Sequence, residues 1–191
     1  MAPSLTRELV IATARRHLEA DGLGRFSLRA VARDLEVTAP ALYAYVSSKE
    51  ELVALVAAAH FEALARRFEE VGDDDPLDRV RALSRAYVDH ARSSPKLFAL
   101  MFRFPPVPVP DADAFPPAAR AFDVAARATA DAIESGALAV DDATEASLTM
   151  WCAVHGVAEV LLMGFATDDA ADALVDRVID TVLAGQAHPL P

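Results

Sequence analysis

The chain has 191 residues, 53% of them hydrophobic, and a formal net charge of -11. That length holds one large domain or two small ones around a real core, and the apolar fraction excludes wholesale disorder. Seven Gly, 12 Pro and a single cysteine, Cys152, exclude collagen-like and disulfide-rich classes. A lone cysteine makes no internal disulfide, so a reducing, cytoplasmic setting is expected. The N-terminal stretch spreads charges through its apolar residues and offers no secretory apolar run. Residues 148–165 come nearest to a membrane span. His155 and Glu159 in their middle would be costly in lipid, so a buried helix and no membrane partner are expected.

Acidity of this size argues against a nucleic-acid binder coated in positive charge, but the charge is unevenly spread. Residues 1–50 carry seven Lys+Arg and six Asp+Glu, a net of +1; the remainder carries 11 and 23, a net of -12. The acidity belongs to the second part, and the arginines of the first are available for local use.

Alanine and leucine are abundant, and no alternating β-branched run is long enough for a sheet. The expected fold class is therefore all-α, with about nine helices. A first helix is predicted over residues 4–21, with Val10, Ala14 and Leu18 on one face and Gly22 and Gly24 ending it. A short helix follows Ser27 to about Leu35. Another follows Thr38, with Pro40 tolerated in its first turn. Ser48-Lys49-Glu50-Glu51 is a capping-box pattern opening a long helix to about Val71. Asp75-Pro76, after the acidic run from Asp73, and then Ser94-Pro95 open two more. The proline-rich residues 104–110 cannot be helix interior and read as a rigid loop or a lid. A helix over residues 117–135 ends at Gly136. Asp142 with Glu145 is a further capping box, opening a very apolar helix to Phe165. The last helix, residues 169–183, is ended by Gly185. Leu174, Val175, Val178, Ile179 and Val182 face one way, and Asp176, Arg177 and Asp180 the other. No internal repeat is present. The expected domains are residues 1–50 and 51–191, joined through the helix over 48–71.

Two short helices joined by a tight turn over residues 27–46 have the geometry of a helix-turn-helix. Val31, Ala32, Leu35, Val37, Leu42 and Val46 have the spacing to build its small core. Arg29, Thr38, Ala39, Ala41, Tyr43 and Tyr45 are left turned outward, and an arginine with two tyrosines suits phosphate oxygens and base edges. Lys49 adds a cation beside unpaired helix N-terminal amides. Periodicity alone favours a plain amphipathic helix pair, because such pairs are common.

The stretch from Leu28 to Leu52 decides between them. Leu42-Tyr43-Ala44-Tyr45-Val46-Ser47-Ser48-Lys49-Glu50-Glu51-Leu52 resembles the Leu-Tyr-x-(aromatic or His)-(apolar)-x-(Ser/Asn)-Lys-x-x-Leu signature of the DNA-binding domain of TetR-family transcriptional regulators. The resemblance covers about residues 5–55. It implies a three-helix DNA-binding domain followed by a helical domain that binds an effector and dimerises. It also implies roles by position. Arg29 would reach a base or a phosphate, Thr38 would bond the DNA backbone, and Tyr43 and Lys49 would grip phosphates. Tyr45 would lie between phosphate and base. Ala39, Pro40 and Ala41 would meet bases, where small apolar side chains can offer only contact with thymine methyl groups. Glu36 departs from the family, which commonly has Gly or a small residue in the turn; it would strain the turn or repel phosphate.

Met150-Trp151-Cys152-Ala153-Val154-His155-Gly156 resembles the Trp-His-Gly signature of one C-terminal subgroup of that family, and residues 95–102 resemble a second block of it. Trp151, His155, Glu159 and Leu162 lie one above another at helical spacing. They read either as a pocket wall with polar groups that orient a ligand or as a His–Glu pair satisfied in the core. Phe98, Met101, Phe102, Phe122, Met150 and Met163 face the same choice. The candidate effector residues are Phe98, Met101, Phe102, Phe122, Trp151, His155, Glu159 and Met163. Gly156 would let another backbone approach closely.

The resulting expectation is a ligand-responsive regulator, a repressor, that binds double-stranded palindromic operator DNA. It would do so as a homodimer through its last two helices and leave the DNA on binding a small, mostly apolar effector. The alternative is a helical ligand-binding or protein-interaction module without DNA binding. An enzyme is not expected: the five histidines are scattered, and no HExxH, CxxC, GxSxG or P-loop pattern occurs. No cofactor is expected, and no metal, since His155 and Glu159 alone are too few ligands.

Overall fold

A computed structural model of the chain describes residues 5–72, 74–103 and 116–187. The predicted helix start at residue 4, Asp73, the proline-rich residues 104–110 and His188 lie outside them. Among the described residues there are nine helices and no strand.

Local capping sets most boundaries. Helix α1 (Arg7–Asp21) starts later than expected because Thr6 caps it, its hydroxyl accepting the Leu9 N–H at 3.2 Å. Gly22 ends α1 at φ 75, with its N–H on the Leu18 carbonyl. Helices α2 (Leu28–Asp34) and α3 (Ala39–Leu42) begin after Ser27 and Thr38, although neither side chain bonds a helix N–H. Between them Glu36 takes φ 55, with its N–H on Arg33 and that of Val37 on Ala32. The expected strain in this turn is thus present at Glu36.

Helix α4 (Lys49–Glu69) departs from the expected capping box. Ser48 Oγ accepts the Glu51 N–H at 3.0 Å, but the Glu51 carboxylate accepts from the N–H and hydroxyl of Ser47, at 2.5 and 2.6 Å. It also accepts from Arg7 of α1 at 2.9 Å. Its pKa is lowered, chiefly by the Ser47 hydroxyl and N–H. Helix α5 (Pro76–Ser93) is capped as expected, Asp75 accepting from the Leu77 and Asp78 N–H groups. At α6 (Pro95–Met101) the Ser94 hydroxyl is not spent on the cap; it donates to Glu19 of α1 at 2.7 Å.

Helix α7 (Pro116–Glu134) is followed by Gly136 at φ 79. Helix α8 (Ala143–Leu162) is capped by Asp142 and ends three residues before the expected Phe165, where Gly164 at φ 78 turns the chain. Helix α9 (Asp168–Gln186) runs through Gly185, which was expected to stop it. Gln186 holds that last turn: its side-chain N–H bonds the Ala146 carbonyl at 3.0 Å, and its own carbonyl accepts the Ala139 N–H at 2.8 Å.

The helices form two compact units. Unit 1 is Met1–Phe61 with Ser94–Pro106, and unit 2 is Glu62–Ser93 with Val107–Pro191. In unit 1, Val10, Leu18, Val31, Leu42, Leu52, Val56 and Leu97 are fully buried in one core, so α6 belongs with the N-terminal helices. Lys96 of α6 donates to the Ala20 carbonyl at 2.5 Å, at the negative end of α1. In unit 2, α5, α7, α8 and α9 pack on one another around Leu83, Tyr87, Ala128, Val154, Ala158 and Ile179.

Glu36→Gly removes a left-handed penalty of about 1–2 kcal/mol against an unfolded-state entropy loss of roughly 0.5–1 kcal/mol. A net gain of up to about 1.5 kcal/mol is expected as a higher urea midpoint. Gly22→Ala, at φ 75, is expected to lower it. A Glu36→Gly midpoint at or below that of the parent would refute the strain.

Candidate functional site

The helix-turn-helix sits in unit 1. Val31, Ala32, Leu42 and Val46 are buried, and Leu35 and Val37 pack half-buried against them, as their spacing predicts. This leaves Arg29, Thr38, Pro40 and Tyr43 exposed, Tyr43 at 57%. Ala39 and Ala41 are half-buried, with Ala39 against the core. The outward reading of Tyr45 needs correction: its ring packs on the core and its hydroxyl donates to the Leu5 carbonyl at 2.9 Å. That bond fastens the end of the motif to the start of the chain. Lys49 is half-buried, with its ammonium over the Phe26 ring, 5.6 Å from the centroid.

Charge pairing differs between the units. In unit 2, Arg81, Arg85 and Arg92 of α5 form a ladder with Asp180, Asp176 and Asp172 of α9, at 3.0, 2.6 and 2.6 Å. Arg120 bonds both Glu62 and Glu69, at 2.9 and 2.8 Å. In unit 1 the contacts of this kind among the described residues are the Arg7–Glu51 ion pair at 2.9 Å and the His17–Asp34 hydrogen bond at 2.8 Å. Neither involves Arg29 or Lys49, so a face with exposed arginine, threonine and tyrosine keeps its positive charge for an outside anion.

In unit 2 a polar cluster forms on one face of α8. Trp151 Nε1 donates to the Tyr87 hydroxyl at 2.9 Å, and that hydroxyl lies 2.9 Å from His155 Nδ1. The indole can only donate, so the phenol oxygen accepts. Which partner donates in the hydroxyl–Nδ1 bond follows the His155 tautomer. Burial lowers the His155 pKa, with Glu159 opposing. Burial also pushes the Tyr87 phenol well above its usual value. Tyr87 was missed from the sequence because it lies on α5, 64 residues before Trp151. The available signal was a tyrosine on the apolar face of Val80 and Leu83, which needs a partner when buried.

The eight candidate effector residues are not gathered in one unit. Phe98, Met101 and Phe102 belong to unit 1 and the other five to unit 2. Phe98 and Met101 are core, at 0% and 5% exposure; Phe98 stacks edge-on to Phe102 at 5.2 Å, and Phe61 does so at 5.8 Å. Phe122, Trp151, His155 and Glu159 are half-buried, while Met163 is 66% exposed. At Gly156 an added Cβ would meet nothing within 4 Å, so no other described part of the chain makes the close approach expected there. Among the described residues, no three His, Cys, Asp or Glu stand close enough to hold a metal ion, and no helix is long and apolar enough to cross a membrane.

Comparison with known proteins agrees with this geometry. The HTH-type transcriptional regulator Rv1816 of Mycobacterium tuberculosis is 34% identical over 100 residues, 50% of this chain and 43% of that protein. The chain thus spans less than half the length of the curated relatives it matches. A protein of unknown function from Rhodococcus sp. RHA1 has the same fold at a TM-score of 0.85, with 26% identity over 97% of both chains. A TetR variant from Acinetobacter baumannii AYE, in complex with minocycline, aligns at a TM-score of 0.69 and 20% identity, over 95% of this chain and 96% of that one. Residues 10–56 match the family described as bacterial regulatory proteins, tetR family. Residues 80–182 match the tetracyclin repressor-like C-terminal domain. With both of its parts matched, the chain belongs to the TetR family of bacterial transcriptional regulators.

Proposed function

We propose that the chain is a cytoplasmic, non-enzymatic, ligand-responsive repressor that binds a palindromic operator as a homodimer. The observation that carries this is the outward face of the helix-turn-helix, with Arg29, Thr38, Pro40 and Tyr43 exposed and Lys49 beside them. Tyr43 and Lys49 hold phosphates, Thr38 the DNA backbone, and Arg29 reads a base edge. Ala39, Pro40 and Ala41 touch thymine methyl groups, and Tyr45 acts by bracing the motif. The domain division follows the reading of residues 1–50 as operator-binding and 51–191 as effector-binding and dimerising.

The homodimer reading rests on the far face of α8. Thr149, Cys152, Gly156, Val160 and Met163 recur at helical spacing, all exposed and none charged. Leu174, Val178 and Val182 of α9 remain half-exposed beside the buried Val175 and Ile179. An uncharged face of this extent is covered by its symmetry mate in a four-helix bundle. Two-fold symmetry then sets the recognition helices about 34–36 Å apart.

The effector is a small, mostly apolar molecule oriented by Trp151, His155 and Glu159 with Tyr87. The minocycline held by the A. baumannii relative is the precedent for a ligand in this fold. Release follows if the effector prefers the arrangement that disfavours operator. Operator must then weaken effector affinity by the same factor.

Three measurements test this. In a gel shift with the DNA upstream of its own gene and an inverted-repeat library, salt-sensitive retention is expected. Lys49→Ala and Tyr43→Phe should weaken it evenly across sequences. Arg29→Ala should cost about 1–3 kcal/mol at one base position. No shift with any sequence would leave a ligand-binding module without DNA. Val160→Glu with Met163→Glu is expected to yield monomers by light scattering at unchanged helicity; a dimer that persists would reject the interface. Trp151 is the only tryptophan, so effector binding should change its emission. Tyr87→Phe should weaken that response; an unaltered titration would place the effector elsewhere.

A further inference from the structure

We infer that Arg25 and Arg33 flank Arg29 as two further operator-phosphate contacts, so that unit 1 grips the DNA backbone along a band of three arginines. The inference rests on the operator-binding reading and adds residues to it. Arg29 and Arg33 are four apart on α2, hence on one face and about 6 Å apart along its axis. Val31, between them, is fully buried, which turns both arginines away from the core, and both are exposed. Arg25 is exposed in the turn before α2. Its neighbour Phe26 carries the Lys49 ammonium over its ring, so the band runs on to the cation at the start of α4.

The chain has 29 carboxylates for 18 Lys+Arg, yet none pairs with these three arginines among the described residues. Two of the nearby acids are engaged elsewhere, while Glu36 and Glu50 stay exposed. Asp34, next to Arg33, is drawn to His17 of α1 at 2.8 Å. Glu51 is taken by Ser47 and Arg7. Seven arginines of unit 2, by contrast, are matched with acids, as in the α5–α9 ladder. Unneutralised guanidinium groups in so acidic a chain suit phosphate oxygens, which they meet bidentately. A phosphate contact releases counterions and so writes itself into the salt dependence of binding.

The test is operator binding by the full chain at graded salt, using the sequence selected from the inverted-repeat library. Arg25→Ala and Arg33→Ala are compared with the parent. Each lost contact should shallow the plot of log affinity against log salt by about 0.9, so about 1.8 for each substitution in a dimer. Base preference should be unchanged, and Arg33→Lys should restore most of the slope. Arg127→Ala, on α7 and paired with Asp123, is expected to leave the slope alone. A parent that binds while either alanine variant keeps the parental slope would overturn the inference for that residue and spare the functional reading. Altered base preference would overturn the phosphate role. A parent with no salt-dependent binding would sink the functional reading itself.

Discussion

A four-residue helix cannot sustain itself, since the first turn alone fixes several dihedrals for a single hydrogen bond. Helix α3, Ala39–Leu42, is that short, and it exists because its neighbours bury what it cannot. Leu42 is at 0% and Val46 at 2% exposure, against Leu18, Val31 and Leu52. Burial of a side chain such as Leu42 is worth about 1.5–3 kcal/mol, enough to hold the turn in place. The presented residues Thr38, Pro40 and Tyr43 are thus positioned by a core to which they contribute nothing. The same core accepts Leu97 and Leu100 of α6, while Lys96 and Ser94 bond the last turn of α1. The motif is therefore braced by a helix about 50 residues further along the chain.

Electrostatics divides the molecule along a similar line. The net charge of -11 hides +1 in the first 50 residues and -12 in the rest. The structure adds that most arginines of unit 2 are matched by its acids at the surface. Such exposed pairs contribute little to stability individually. Their effect on recognition is greater: a surface whose arginines are already matched offers a phosphate backbone no charge. Among the described residues Arg29 has no acidic partner, and Asp34 and Glu51 are engaged by His17, Ser47 and Arg7.

The effector side shows how one apolar helix acquires polar purpose. Helix α8 buries Met150, Val154, Val157 and Ala158 on one face and leaves Thr149, Cys152, Gly156, Val160 and Met163 on the other. Trp151 and His155 stand between the two, tied to Tyr87.

Much of this was legible in the residues. Helix number, most caps, the helix-turn-helix core and the Trp151–His155–Glu159 face follow from period and capping chemistry, which are local. Where the reading slipped, a distant partner decided. Gly185 does not end α9 because Gln186 is anchored on Ala146 and Ala139. Ser94 does not cap α6 because Glu19 takes its hydroxyl. Tyr45 does not face outward because Leu5 accepts its proton. Phe98 and Met101 are spent on the core of their own unit because α6 packs with α1. The sequence by itself determined which residues could be helical, capped or apolar, since those preferences act within a turn or two of the chain. Only the tertiary structure decided which polar groups were already satisfied and which were left for a partner, because that depends on contacts between residues tens of positions apart.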